Sequence, residues 1–275
     1  MMRTTSRRVG ILAVAAALAL TAAGCAKGTG ATSASGVKLV KAGHLTVCTH
    51  LPYAPFQFEA ADRKVVGFDV DLMDLVAKKL GVTQSIVNTP FEGIKSGQDL
   101  KTGKCDVAAA GMTITPTRKQ VIDFSDPYFD ATQALLVKKG APYRSLADLK
   151  GKRVGGQSAT TGFDYLNHYV RTNPKANGFE VVGFEDLATE QQALATGQIA
   201  AAVNDLPVWS EYLKENQGKF EISTQFHTGE QYGFGLGKGA NPELLKLVND
   251  TIAQAKKDGT YAALYKKWIG AQPTQ

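Results

Sequence analysis

One segment of the sequence joins an apolar run to groups that can bind a carboxylate. Residues 107–110 form an apolar run short enough for a buried parallel strand, and this run stops at Gly111. Thr113 then supplies a hydroxyl, and Arg118 supplies a planar fork of donors that fits a carboxylate in bidentate fashion. Open α/β sheets bind ligands at strand ends, so the segment predicts a carboxylate site. The alternative is a surface arginine that caps a turn or forms an ion pair.

More polar residues follow predicted strand ends in the second half of the chain. Thr160 and Thr161 lie in a loop that enters a predicted helix, where free backbone N–H groups suit an anion. A plain threonine cap is the alternative, but Arg118 favours the anion site because it would face the same carboxylate. Asp205 follows another apolar run, and from the residues alone a helix N-cap competes with a role in a ligand site.

An aromatic residue lies on a stiff loop at the first predicted strand end. Tyr53 stands between Pro52 and Pro55, a few residues after the strand at 45–49 and His50. The face of a ring held on such a loop can stack on an aliphatic or cationic side chain. Core packing is the alternative.

Strands and helices alternate between these residues. Strands at 45–49, 84–89 and 107–110 are separated by amphipathic helical patterns at 68–80 and 91–101. This β-α-β-α-β series predicts a parallel sheet with helices on both faces. The same order of elements begins again near residue 153.

Several motifs in this order are typical of one family. GMTITPTR and IDFSDPYF lie within residues 111–129, LTVCTHLPYAPFQF precedes them, and DGTYAALYKKWIG lies near the end. Together they resemble the bacterial extracellular solute-binding proteins that serve polar amino-acid ABC importers. The resemblance covers nearly the whole chain after residue 40.

The resemblance implies an α/β fold with two lobes, the type II periplasmic-binding-protein fold. Each lobe is expected to be a mostly parallel sheet flanked by helices, and the chain is expected to cross twice between them. Two crossings would let the lobes close about a hinge. The implied limits are 37–128 and 233–275 for lobe 1, 133–227 for lobe 2, and 128–132 and 228–232 for the hinge.

The resemblance also implies a free polar L-amino acid as the ligand and an ABC permease as the partner. Where many members that take cationic amino acids have an acid, this chain has His50, which favours a neutral polar or acidic side chain. We expect glutamine before glutamate, with histidine also possible. The implied carboxylate residues are Arg118, Thr113, Thr160 and Thr161; the ammonium residues are Asp205, Gly111 and Thr113; the side-chain residues are Tyr53, Phe91, His50 and Gln157.

The first residues have the features of an export signal. Residues 1–24 contain two adjacent arginines and an apolar core, which is too short for a comfortable transmembrane span. Small residues directly before Cys25 resemble a bacterial lipoprotein processing site, although Ala22 replaces the usual larger aliphatic residue. We therefore expect Sec export, lipidation of Cys25 at the outer face of the cytoplasmic membrane, and a flexible linker over 25–36.

Two cysteines remain after lipidation, Cys48 and Cys105. Export makes a disulfide between them thermodynamically possible. However, Cys48 lies late in its predicted strand and Cys105 lies at the start of its own. In parallel neighbours this offset exceeds the span of a disulfide, so we predict two buried thiols.

Other classes of function have weak support. The formal net charge of +6 includes three arginines of the leader, and the remaining charge is spread out, so no nucleic-acid partner is expected. The four histidines have no metal-ligand spacing, and we expect no metal, no cofactor and a monomer. Two alternatives stay open: an enzyme on the same scaffold, such as a dehydratase of cyclic amino acids, and a sensory protein that docks on a membrane receptor.

Overall fold

The computed structural model describes residues 31–32, 36–174 and 178–270. The predicted signal peptide and the predicted lipidation site Cys25 lie outside the described residues. Two residues within the predicted linker, Ala31–Thr32, pair in antiparallel fashion with Lys38–Leu39.

The described strands are short, apart from two long ones in the second half of the chain. In chain order they are β1 Ala31–Thr32, β2 Lys38–Leu39, β3 His44–Thr49, β4 Phe58–Glu59, β5 Val65–Val66, β6 Thr83–Asn88, β7 Val107–Ala108, β8 Ile122–Phe124, β9 Phe129–Lys138, β10 Arg153–Gln157, β11 Glu180–Phe184, β12 Ala201–Asp205, β13 Phe220–Tyr232 and β14 Gly235–Gly237.

The described α-helices separate the strands of each half and end the chain. They are α1 Phe68–Leu80, α2 Phe91–Lys95, α3 Gln98–Lys101, α4 Pro116–Lys119, α5 Thr161–Thr172, α6 Leu187–Thr196, α7 Leu206–Glu215, α8 Pro242–Lys257 and α9 Thr260–Trp268, with a 3₁₀ helix at Leu146–Leu149.

Two five-stranded mixed sheets form the two lobes. The first has the order β6-β3-β7-β14-β8 and the second the order β11-β10-β12-β9-β13. In the first sheet β6, β3 and β7 are parallel, and in the second β11, β10 and β12 are parallel. The remaining strands run antiparallel to their neighbours. The predicted two-lobed α/β fold is confirmed, whereas the residue limits of the lobes and the hinge stay predictions.

Helix α1 shows how local sequence sets one element of the first lobe. It begins after Gly67, and Asp69 and Asp71 lie in its first turn, where acids interact favourably with the helix dipole. It ends at Gly81, which adopts the left-handed conformation with φ 70°. Its apolar side chains pack on the sheet, and Asp69 is also fully buried.

The strands β9 and β13 join the lobes as an antiparallel pair. Their ladder runs from Phe129 opposite Tyr232 to Lys138 opposite Phe220. It is interrupted between Phe226 and Glu230, where three residues of β13 face a single residue of β9. A β-bulge of this kind re-aims the side chains beside it.

The terminal helices pack on the first lobe, as the sequence predicts. The Tyr261 hydroxyl of α9 donates a hydrogen bond to the carbonyl of Tyr128, directly before β9. The rings of Tyr261 and Phe68 have their centres 5.4 Å apart in an edge-to-face arrangement. Helix α9 is therefore held beside the first strand that leaves this lobe.

The prediction of two free thiols is wrong, because Cys48 and Cys105 form a disulfide with their Cα atoms 5.6 Å apart. The error came from placing Cys105 within the strand. β7 begins only at Val107, and Cys48 of β3 lies opposite Ala108. Cys105 precedes the ladder in irregular backbone, so the strand offset does not set its position relative to Cys48. Both cysteines are buried.

Candidate functional site

One cavity is lined by all the residues that the sequence assigns to ligand binding. The empty space around its lining atoms is about 330 Å³, which includes space open to solvent. The lining residues are His50, Tyr53, Gln57, Phe91, Ala110, Gly111, Thr113, Arg118, Gln157, Thr160, Thr161 and Asp205. Gln57 and Ala110 were not predicted.

Arg118 projects from the short helix α4 into the junction of the lobes. Thr115 caps this helix by accepting a hydrogen bond from the Arg118 amide at 3.2 Å. The guanidinium donates to the carbonyl of Thr113 at 2.8 Å and, across the cleft, to the carbonyl of Ala159 at 3.1 Å. It also lies 5.4 Å from the ring centre of Phe91. These contacts fix its orientation and leave further N–H donors for a carboxylate.

Arg118 is 5% exposed, and its electrostatic environment is acidic. Burial lowers the pKa of its guanidinium from the ordinary value, and Asp164, Asp205 and Glu230 act in the opposite direction. Among the twelve residues that line the cavity it is the one lysine or arginine. An anionic group of a ligand would therefore be directed to Arg118.

The start of α5 faces Arg118 from the second lobe. The Thr160 hydroxyl donates to the carbonyl of Gln157 at 2.7 Å and accepts from the amide of Phe163 at 3.2 Å. The alternative of a threonine cap is therefore correct for the Thr160 side chain. The first amides of the helix have no acceptor within it and can serve an anion.

Asp205 stands at the N-cap position of α7, but its side chain makes no capping hydrogen bond. Its carboxylate instead accepts hydrogen bonds from Tyr53, Tyr232 and Gln133. Burial raises the pKa of Asp205 to about 6, with a further contribution from the charge of Glu230, while its three donors act to lower it. The acid is thus held by both lobes at the cavity wall.

Tyr53 and Gly111 pack closely together. Gly111 has φ 54°, and a Cβ atom there would lie 3.1 Å from the Tyr53 ring, so both backbone and packing require glycine. The Gly111 amide donates to Asp69 at 2.9 Å, and Asp69 also accepts from the Tyr128 hydroxyl at 2.7 Å. Burial raises the pKa of Asp69 to about 7. Asp69 therefore fixes the loop that the sequence singles out.

Glu230 forms a polar cluster with residues from both lobes. Its Oε2 atom accepts from the hydroxyls of Thr113 at 3.1 Å and Thr161 at 2.9 Å, and from Gln133 Nε2 at 3.0 Å. Gln133 Nε2 also donates to Asp205. Thr113, Thr161 and Asp205 line the cavity itself, whereas Glu230 and Gln133 lie behind them. We call this cluster, together with Arg118 and Gly111, the main-chain end.

The other end of the cavity, which we call the side-chain end, consists of His50, Gln57, Phe91 and Gln157. His50 Nδ1 donates to the carbonyl of Thr89 at 2.9 Å, and Gln57 Nε2 donates to the carbonyl of His50 at 3.3 Å. By contrast His50 Nε2, Gln57 Oε1 and Gln157 Oε1 are buried without a hydrogen-bond partner among the residues that the structure describes. Such atoms are ready to bond a ligand.

The sequence predicted the residues that line the cavity but not several of the residues that form hydrogen bonds with them. Gln133, Glu230 and Tyr232 lie on the two paired strands that join the lobes, and their contacts depend on the register of that pair. The sequence assigned no role to Asn204, although its Oδ1 atom lies 2.7 Å from the Tyr53 hydroxyl. In the sequence, the polar residues of the predicted crossing segments were the one available indication that these strands contribute to the site. The ligand roles of the predicted residues themselves stay predictions.

A two-lobed α/β fold with one cavity between its sheets is the architecture of amino-acid-binding proteins of importers. The chain belongs to the bacterial extracellular solute-binding proteins, family 3, whose profile matches residues 45–271. It is therefore a polar amino-acid solute-binding protein of the ABC importer type.

Relatives with different ligands are about equally similar to this chain. The L-cystine-binding protein TcyJ of Escherichia coli (strain K12) is 35% identical over 240 residues, covering 86% of this chain and 87% of the relative. The ABC transporter glutamine-binding protein GlnH of Bacillus subtilis (strain 168) is 33% identical over 216 residues, covering 77% and 76%. A solved ancestral arginine-binding protein bound to glutamine is 41% identical, with a TM-score of 0.75 over 83% of this chain and 99% of that one.

Members of this family act outside the cytoplasm. Within the described ranges, no helix of this chain combines the length and the apolar character needed to cross a membrane.

Proposed function

We propose that this protein captures free L-glutamine outside the cytoplasmic membrane and delivers it to an ABC permease. Arg118, with the first amides of α5, holds the α-carboxylate. Asp205, the carbonyl of Gly111 and the hydroxyl of Thr113 hold the ammonium group. Tyr53 and Phe91 flank the ligand side chain. The two charged ends of an amino acid thus meet the buried charges of opposite sign.

The hydrogen-bonding character of the side-chain end carries the choice of glutamine. A backbone carbonyl can only accept, so His50 Nδ1 carries the proton toward Thr89, and in the neutral ring Nε2 is then an acceptor. The side chains of Gln57 and Gln157 can both donate and accept. A terminal amide has one acceptor and one donor group and matches this set.

Other side chains match less well. The γ-carboxylate of glutamate only accepts, so it leaves His50 Nε2 without a donor. The cation of arginine or lysine has no carboxylate partner among the residues of the side-chain end. Histidine, with one donor and one acceptor nitrogen, is the second candidate.

A binding screen tests this proposal. We expect a thermal-shift screen of the L-amino acids to give its largest stabilisation with L-glutamine. Calorimetry should then rank L-glutamine above L-histidine, L-glutamate, L-arginine and L-cystine. L-Glutamate γ-methyl ester, which lacks the amide donor, is the matched control and should bind at least about tenfold more weakly than L-glutamine. Tighter binding of the ester or of L-arginine would contradict the choice.

Attachment to the membrane through a lipidated Cys25 is also part of the proposed function. Cys25 follows the apolar core of the leader, and its lipidation would hold the protein at the outer face of the membrane as a monomer. Cys25→Ser should release the protein into the medium. Retention of this variant in the membrane fraction would contradict the proposed lipoprotein.

The way in which the acid Asp205 is held favours a binding protein over an enzyme. Three donors converge on its carboxylate, which suits a fixed acceptor for an ammonium group better than a mobile proton donor. Mass spectrometry after incubation with cyclic amino acids should show no conversion. Uptake of labelled L-glutamine that depends on this protein would separate the importer from a sensory role.

Closure of the lobes is the expected response to the ligand. The hinge implied at 128–132 and 228–232 overlaps the paired ends of β9 and β13, and this overlap supports closure there. Small-angle scattering should show a smaller radius of gyration at saturating L-glutamine. An unchanged radius would count against closure about this hinge.

A further inference from the structure

Glu230 is a half-buried acid to which the sequence assigns no role. It lies at the point where the ladder of β13 resumes after its interruption, opposite Ala131 of β9. One oxygen, Oε2, accepts hydrogen bonds from Thr113 of the first lobe and from Thr161 and Gln133 of the second. Oε2 is thus an acceptor for three donors, and the charge of Glu230 also acts on Asp205, which stands at the proposed ammonium site.

The two threonines have one hydroxyl proton each. Thr113 directs this proton to Glu230 over 3.1 Å, and Thr161 does so over 2.9 Å. Once these protons are committed, each hydroxyl oxygen has only lone pairs left to offer to a further partner. Thr113 and Thr161 therefore present acceptors, and acceptors suit an ammonium group rather than a carboxylate.

The amide of Gln133 connects Glu230 to Asp205. Its Nε2 atom contacts both carboxylates, so the nitrogen must face them, and the amide orientation follows from this. Its Oε1 atom packs against Gly162, where an added Cβ would lie only 2.7 Å away. Gly162 thus leaves room for the orientation that joins the two acids.

We propose that Glu230 is a positioning residue for recognition of the ligand ammonium group. It acts by committing the hydroxyl protons of Thr113 and Thr161, so that their lone pairs face the ammonium together with the carboxylate of Asp205. This inference rests on the proposed function, because it requires an amino acid at the main-chain end.

Two other roles would fit the same contacts and give different results. As a structural latch between the lobes, Glu230 would support every ligand equally. As a competitor of the ligand α-carboxylate, it would weaken the binding of any carboxylate. Of these three roles, only the positioning role makes the effect of Glu230 depend on the ammonium group.

The test compares wild type and Glu230→Gln with three probes. L-Glutamine carries both charged groups, 4-aminobutanamide carries only the ammonium, and glutaric acid monoamide carries only the carboxylate. Gln can donate to the threonines, so it frees their protons and removes a charge. We expect Glu230→Gln to weaken L-glutamine and 4-aminobutanamide roughly tenfold and to change glutaric acid monoamide less than about twofold. Competition calorimetry can measure the affinities of the weakly binding probes.

Two further variants control for indirect effects. Glu221→Gln on the same strand removes a carboxylate that contacts Arg144 at 2.9 Å away from the cavity, and it should leave all three affinities unchanged. Thr113→Val should weaken L-glutamine, and adding Glu230→Gln to it should cost less than Glu230→Gln costs in the wild type. Such non-additivity is expected if Glu230 acts partly through Thr113, and additive losses would overturn the proposal.

The outcomes separate this inference from the proposed function. Equal losses for all three probes, or a gain for glutaric acid monoamide, would overturn the positioning role while the wild type still binds L-glutamine. If the wild type binds L-arginine instead, then L-arginine, agmatine and 5-guanidinopentanoic acid form the same set of probes. A wild type that binds no amino acid would overturn the proposed function itself and this inference with it.

Discussion

The main-chain end and the side-chain end of the cavity differ in how their polar atoms are used. At the main-chain end Arg118, Asp205 and Glu230 all bond other protein groups, several of them across the cleft. At the side-chain end His50 and Gln157 each retain a buried polar atom without a protein partner. One end is held by the protein alone, whereas the other depends on the ligand for its hydrogen bonds.

This difference matches what amino acids share and what distinguishes them. Every amino acid has the same carboxylate and ammonium group, so a preformed network can serve all of them without rearrangement. The side chain varies, and a site built to hydrogen-bond one side chain rejects others that leave its buried atoms unpaired. Changes at the main-chain end should therefore alter affinity, and changes at the side-chain end should alter selectivity.

The largest effect on affinity is expected at Arg118. Arg118→Lys keeps the charge but loses the fork that can hold a carboxylate by two parallel bonds. We expect the dissociation constant for L-glutamine to rise about thirty-fold to a few hundred-fold, or roughly 2–3.5 kcal/mol. Arg144→Lys, at an exposed ion pair with Glu221, is the control and should change little. Calorimetry measures both, and wild-type affinity of Arg118→Lys would place the carboxylate elsewhere.

A smaller effect, on selectivity, is expected at His50. His50→Asp puts a carboxylate at the side-chain end, where it would pair with a cationic side chain. The ratio of affinities for L-arginine over L-glutamine should rise roughly tenfold. His227→Asp, at an exposed position of β13, should leave that ratio unchanged. If both ligands weaken equally, the two ends are not separate in function.

A several-fold effect is expected from pH, because the proposed function requires Asp205 to bind the ammonium group in its ionised form. Its pKa of about 6 lies above the ordinary value, so it gains a proton as the pH falls through 6. Affinity for L-glutamine should therefore fall roughly three- to tenfold between pH 7.5 and 5, and Asp205→Asn should bind weakly at both. Isothermal titration calorimetry across this pH range measures the effect. A constant wild-type affinity would contradict the assignment of Asp205 to the ammonium group. The titratable and charged groups facing Asp205 are Tyr53, Tyr232, Glu190, Glu230 and Arg118.

The smallest effect on affinity is expected from the disulfide, which braces the first lobe near the side-chain end. Cys48 is buried in one apolar cluster with Phe91, and His50 follows it by two residues. Replacing both cysteines by serine should lower the free energy of unfolding by about 2–4 kcal/mol. Affinity for L-glutamine should change less than about twofold. Any loss of selectivity should concern only how the protein distinguishes ligand side chains. Denaturant unfolding and calorimetry measure these effects, and a loss as large as that of Arg118→Lys would contradict them.

The sequence identified the residues that follow directly from strand ends. Gly111 and Thr113 follow β7 of the first sheet and Asp205 ends β12 of the second, so each lies at the carboxyl end of a parallel strand, where ligands bind in open α/β sheets. Gln133 and Glu230 escaped notice because their contact depends on a ladder that skips residues, and local patterns do not encode such a skip. The disulfide was missed for a related reason, since the offset argument counted Cys105 as the first residue of the strand, whereas it lies two residues before β7.

The disulfide also divides the chain in a way that bears on how ligand choice can change. His50, Tyr53, Gln57 and Phe91 all lie between Cys48 and Cys105, a sequence separation of 57. The residues proposed to bind the carboxylate and ammonium groups, from Gly111 onward, lie outside this covalent ring. The ring is thus one continuous segment whose ends are covalently linked. Exchanging this segment between relatives would transfer the first lobe's contribution to ligand preference in a single step.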